Sequence, residues 1–339
     1  MKRWVIALML SSMVGGFAPV AAQDEEPGIA QERIAFGELP SVAVALDGFM
    51  WVLDRRGATI GKIDPTTNEV VDVIDLLQLV EGSRSAWDLE AARGSLWLTL
   101  PAKNRIARVD PESGDVTSVI RARGFVSDLY VARGALWFTS GSQRGIVLVR
   151  MDPLSEKTVA TFRLGKTNTG VAAIVSYGRH VWVVRNQARH VAGRGRNVTF
   201  YVSASLWRID PRSNRMTKKA PLGATYTRGP VDPVIGDVEA AAEGLWLSRN
   251  HERRLTLVNP GTARVLDVES TDFRLPWEIE VLGAEVWAGD LNRPSVVRID
   301  PDVNRHTHAD VGNETSQLAS GFGSIWLPLP GEVVRLTPQ

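Results

Sequence analysis

The chain has 339 residues with 30 glycines, 18 prolines and no cysteine, and its 39 basic and 38 acidic side chains leave a formal net charge of +1. A hydrophobic share of 44% suffices for a packed core and excludes disorder for the bulk of the chain. The charge balance gives no reason to expect nucleic acid or an anionic membrane as partner. Without cysteine there are no disulfides, thiolate nucleophiles or zinc–thiolate sites.

Residues 1–22 read as a secretory signal peptide. Lys2 and Arg3 supply the positive start, Val5 to Val14 the short apolar centre, and Val20-Ala21-Ala22 the small residues at a cleavage site. The apolar run is broken by Ser11, Ser12, Gly15 and Gly16 and is too short to span a bilayer. A periplasmic or secreted protein is expected, with an acidic linker over 23–32 and one folded domain over 33–339.

That domain is an array. A glycine turn leading into an apolar run centred on tryptophan recurs at Trp51, Trp97, Trp137, Trp182, Trp246, Trp287 and Trp326. Asp-Pro or Asn-Pro follows most of them, at Asp64-Pro65, Asp110-Pro111, Asp152-Pro153, Asp210-Pro211, Asn259-Pro260 and Asp300-Pro301. Successive tryptophans stand 46, 40, 45, 64, 41 and 39 residues apart. This period, with short apolar runs and turn residues between them, predicts an all-β, seven-bladed propeller with four antiparallel strands per blade, a to d from the axis outward. Arg33 to Leu39 resembles a strand d without its own blade, and the seventh unit stops after its third apolar run at Val333 to Leu336. The N-terminal strand is therefore expected to complete the last blade, which removes two open sheet edges. The tryptophans, on strand b, are expected to pack between adjacent sheets.

The step of 64 residues holds two insertions: Asn186 to Ser203, with Arg189, His190, Arg194 and Arg196, and Ala224 to Ile235. Both fall on the face where strands b–c and d–a connect, and loops that vary in length on a rigid scaffold tend to carry function.

Strand a starts on that same face, next to the axis. Nine residues before each tryptophan stand Val42, Asp88, Asp128, Ala173, Asp237, Glu278 and Gln317, and two residues further on come Glu90, Glu239 and Glu280. Carboxylates so placed must recruit a cation, accept backbone N–H groups or hold protons. A second ring, three residues after each tryptophan, offers Asp54, Arg185, Arg249 and Asp290. Arg185 and Arg249 could neutralise the acids. Alternatively a hard divalent cation, Ca²⁺ or Mg²⁺, fits an all-oxygen site of Asp88, Asp128, Asp237 and Glu278. Trp87 and Trp277 stand near the mouth, where they could stack on a sugar or other planar ligand, or pack beneath a loop. No Gly-x-Ser-x-Gly, phosphate loop or metalloprotease helix is present.

The unit G-x-L-W, a polar loop and a strand ending in Ile/Val-Asp-Pro resembles the repeat of the virginiamycin B lyase (streptogramin B lyase) family, and Lys62-Ile-Asp-Pro-Thr-Thr-Asn-Glu-Val-Val resembles YVTN-type surface and periplasmic propellers. The first resemblance implies a seven-bladed propeller that opens a cyclic peptide antibiotic by elimination with magnesium, using a histidine before strand a and a glutamate three residues after a tryptophan. Here Trp277 stands in the histidine's place, within Leu275-Pro276-Trp277-Glu278-Ile279, and Asp290 in the glutamate's, so a proton acceptor is missing. The expectation is an exported, monomeric propeller that binds a small molecule, glycan, peptide or partner protein at its channel mouth. The alternative is a metal-dependent lyase or lactonase-type hydrolase that uses the acidic ring.

Overall fold

The structure, a computed structural model, describes residues 28–77, 86–142, 145–165, 169–193, 199–228, 233–262, 264–269, 273–315 and 317–339. The expected signal peptide and the first half of the linker lie outside them, as do Arg194 and Arg196. The described residues form seven four-stranded antiparallel sheets arranged as a propeller. In the second blade strand a is Leu89–Ala92, b is Ser95–Leu100, c is Arg105–Val109 and d is Val116–Arg121. Strand b is buried along its whole length there, whereas d alternates toward solvent, as an outer strand must with one face wet.

Ring closure is as expected, four residues earlier than expected. The N-terminal strand Ile29–Ala35 pairs antiparallel with Glu332–Pro338, from Ile29 opposite Pro338 to Ala35 opposite Glu332. It thus begins inside the stretch read as linker.

Each blade tryptophan is buried. Seven apolar clusters hold one of these rings each, and each cluster joins neighbouring blades: Trp51 packs with Leu89 and Leu98, Trp326 with Val52 and Met50. The core of the molecule is therefore the set of gaps between sheets. Five indoles donate from Nε1 to the carbonyl five residues earlier, at the end of strand a, as in Trp97 to Ala92 (3.3 Å) and Trp137 to Ala132 (3.0 Å). That bond satisfies the one polar atom of a ring otherwise placed in hydrocarbon.

The Asp-Pro turns have a shared chemistry. The turn carboxylate accepts the N–H two residues on, as Asp64 does from Thr66 (2.7 Å) and Asp210 from Arg212 (2.8 Å). The residue four after the aspartate takes a left-handed conformation at Asn68, Gly114, Glu156, Asn214 and Asn304, which favours Asn and Gly there. Cross-strand from the tryptophans, arginines lie over the indole rings and reach the next blade's turn. Arg108 bonds Glu156, Arg150 bonds Pro211 O and Asn214, and Arg335 bonds Pro65 O and Asn68. These clamps tie sheet to sheet where the tryptophans fill the gap.

The insertions are a correction. They are strands rather than loops. In the fourth blade strands b, c and d run His180–Ala192, Thr199–Asp210 and Arg215–Arg228. Their added ends stay in register, with Arg189 opposite Tyr201 and Tyr201 opposite Tyr226. Ala224 thus belongs to strand d, and the ribbon rises on the side of the channel mouth, with Ala188, Phe200 and Val202 in its wall.

Candidate functional site: the acidic channel mouth

A bulge in strand a aims the acids. Antiparallel register between strands a and b shifts at Val126/Leu129, Ile235/Val238 and Pro276/Ile279, placing Asp128, Asp237 and Glu278 on the extra residues. Bulges re-aim side chains in this way. They also free an N–H. Leu129 N donates to Asp88 Oδ2 (2.7 Å) and Ile279 N to Asp237 Oδ2 (3.0 Å), each bond crossing from one blade to the next. Asp128 instead accepts from Ser127 Oγ (2.6 Å) and Thr139 Oγ1 (3.3 Å).

These groups line one cavity of about 1120 Å³ at the axis. Asp88, Glu90, Asp128, Asp237, Glu239, Glu278 and Glu280 all contribute to its wall, with Trp87, Tyr130, Trp277 and Gln317. Arg55 stands at the rim, stacked over Trp87 (4.3 Å) and donating to Trp87 O (2.8 Å). It is the only basic side chain in the described wall.

The electrostatics follow from eight carboxyls around one cation, seven of them near the axis and the eighth, Glu314, exposed. Burial pushes Asp88 up to about 7, helped by Asp128 and opposed by the N–H of Leu129 and by Arg55. Glu90 is pushed up to about 8 by burial and by Asp88 and Glu280. Glu280 also reaches about 8 through burial, in spite of hydrogen bonds with Ser320. Asp128 and Asp237 are raised by burial. Glu239 and Glu278 are raised well above the carboxylate range by burial and by repulsion from neighbouring acids. Asp237 and Glu278 share a hydrogen bond that favours charge on Asp237 and the proton on Glu278; Gln317 Nε2 adds a bond to Glu278 Oε1 (3.2 Å). Of the three ways to keep acids in such a place, the mouth uses two: backbone donors for Asp88 and Asp237, and bound protons for the glutamates.

The four acids of the expected first ring, the glutamates below them, Trp87 and Trp277 are thus brought together. Arg185, Arg249 and Asp290 are not. Arg185 is buried, lies over the Trp207 ring (4.8 Å) and donates to Leu164 O. Arg249 donates to Thr256 Oγ1 (3.0 Å), Leu222 O (2.6 Å) and Glu252 (3.2 Å). Neither neutralises the ring. Asp290 accepts the N–H groups of Arg274 (2.7 Å), Leu275 (3.0 Å) and Asn292 (2.9 Å). Asp54 does the same for Glu38, Leu39 and Arg56 in the first blade. Burial alone would raise Asp54, but its backbone donors outweigh burial and hold it below the ordinary value. In the first and sixth blades, then, the aspartate three after the tryptophan fastens the chain entering strand a. Among the described residues no group of three or more His, Asp or Glu is arranged to hold a metal ion.

Two wall residues were missed in the sequence. Tyr130 occupies the same place after Asp128 as Glu90 does after Asp88, so the register used for the glutamates would have found it. Arg55, four after Trp51, has no such signal.

No family model and no curated protein matches this chain. Solved structures do. The computationally designed Ika8 protein aligns with a TM-score of 0.62 at 8% identity over 91% of this chain and 100% of that one. The β-propeller domain of Cps50 (Swd1) from Myceliophteria thermophila gives 0.62 at 12%, over 92% and 99%. Hydrazine synthase from Kuenenia stuttgartiensis gives 0.57 at 10%, over 81% and 84%. At such identities the likeness is one of fold alone.

Proposed function

We propose that this chain is an exported binding propeller whose channel mouth takes an organic cation, such as an aliphatic amine or the amine of a basic side chain. The observation that carries the proposal is eight carboxyls in one cavity, seven around the axis and Glu314 exposed beside them, whose described wall holds a single guanidinium, at the rim. An amine entering there would meet carboxylates below and the faces of Trp87, Tyr130 and Trp277 beside it, which attract cations. Only occupants that displace protons or use ionised acids gain from this arrangement. Export rests on the pattern of residues 1–22.

The resemblance to streptogramin B lyases does not extend to their chemistry. Trp277 in the histidine's place cannot accept a proton, and Asp290 in the glutamate's place is occupied by three backbone donors. Nor do the carboxyls group as a metal site, so a divalent cation is the competing occupant that an experiment must separate.

Titration calorimetry with putrescine, spermidine, Ca²⁺ and Mg²⁺ does so. Binding of the amines, lost in Asp237→Asn and in Glu239→Gln, is expected. Heat from Ca²⁺ or Mg²⁺ alone, or amine binding indifferent to both substitutions, would refute the organic-cation reading.

A further inference from the structure

At one junction the clamp arginine is present without the bonds of the clamp. In the second, third and seventh blades the arginine cross-strand from tryptophan reaches the residue four after the neighbour's turn aspartate, namely Glu156, Asn214 and Asn68. The fourth blade keeps its arginine, Arg208 opposite Trp182. In the fifth blade, however, the acceptor position in sequence is Ala263, which has no side-chain acceptor. Pro260 O, the equivalent of the Pro211 and Pro65 carbonyls that Arg150 and Arg335 reach, receives no bond from Arg208, and Asn259 turns its Oδ1 back onto the N–H groups of Gly261 (3.0 Å) and Thr262 (3.1 Å). Among the described residues Arg208 makes no side-chain hydrogen bond or ion pair.

At this junction, on the face opposite the channel mouth, the surface opens into a cleft of about 350 Å³. Its wall includes Tyr177, Arg179, His180, Trp182, Arg208 and Gly261 and contains no carboxylate. Asp210 lies close enough to His180 to feel it, but it is held by the N–H groups of Arg212 and Ser213 and is not in the wall. His180 stands edge-on to Trp182 (6.3 Å).

We propose that this cleft is an oxyanion site that binds a phosphate group between Arg208 and Arg179. A guanidinium released from its structural duty presents a planar fork matched to tetrahedral oxyanions, and a second guanidinium at the edge adds charge. The repeat itself supplies the control, because equivalent arginines are saturated where the acceptor is present.

The test is calorimetry with inorganic phosphate and with phenyl phosphate at low ionic strength. Binding is expected, with Arg208→Gln weakening it by ~5-fold or more and Arg179→Gln by less. Arg212→Gln, an exposed arginine outside the cleft wall, should leave it unchanged. Ala263→Asn restores the acceptor of the other turns. It should draw Arg208 into the clamp, lower phosphate affinity and raise the melting temperature. Phenyl phosphate binding without inorganic phosphate binding would place the affinity in the Trp182 and Tyr177 rings and overturn the site as stated. So would the absence of heat with both probes, or equal losses in Arg208→Gln and Arg212→Gln.

Discussion

Asp290 and Glu239 are both acids of the inner strands, yet they do opposite work. Asp290 is 1% exposed and serves three backbone N–H groups, so Asp290→Ala strands buried donors. We expect a loss of about 3 kcal/mol, read by urea denaturation, with putrescine affinity unchanged. Glu239 has the reverse character. Its neighbours Glu280, Asp237 and Glu90 raise its pKa on top of burial, so Glu239→Gln removes a group that is costly to ionise. That variant should melt higher than the parent at about pH 8.5 and nearly the same at about pH 5. Sequence periodicity placed both residues near the axis, because it counts along strands. It could not tell that the end of strand b is covered by the segment entering strand a, whose N–H groups consume Asp54 and Asp290. Nor could it show that Arg185 and Arg249 turn away to carbonyls at Leu164 and Leu222.

At the scale of the element, the closing strand carries the most weight for the least chain. Deleting residues 23–35 would expose the edge of Glu332–Pro338 and uncover the gap filled by Trp326, at a cost of several kcal/mol. A truncated protein that melts with the parent would contradict this. Arg335→Met keeps the contact with Trp326 but loses the bonds to Pro65 and Asn68. About 1–3 kcal/mol of destabilisation is expected in thermal or urea melts. The blades were legible in sequence because each repeats the same local signals: a glycine turn, a buried tryptophan and an Asp-Pro turn with its own hydrogen bonds. The clamp has a sequence signal that periodicity alone did not interpret, Lys or Arg two places before most turn residues, at Lys62, Arg108, Arg150, Arg208 and Arg298. What could not be read was the form of the insertions. A gain in length says that a connection has grown, and only the pairing of Arg189 with Tyr201 and of Tyr201 with Tyr226 makes it sheet.

Across the whole molecule, the mouth ties stability to pH. Asp88, Glu90 and Glu280 have folded-state values of about 7, 8 and 8, above those of the unfolded chain. Between about pH 4 and pH 8 the folded protein therefore holds more protons than the unfolded one, and its stability falls as pH rises through that window. Asp54, Asp64, Asp152 and Asp210 are lowered; their contribution is present above the unfolded value and disappears in acid. The melting temperature should peak in mildly acidic buffer and decline toward about pH 8.5, with putrescine restoring part of the loss. The proton balance of that binding reports the protonated state of the mouth most directly. Calorimetry of putrescine at about pH 7.5, in buffers of different ionisation enthalpy, should show net release of protons from the cavity carboxyls as the amine enters. Heat independent of the buffer, or proton uptake, would contradict the account.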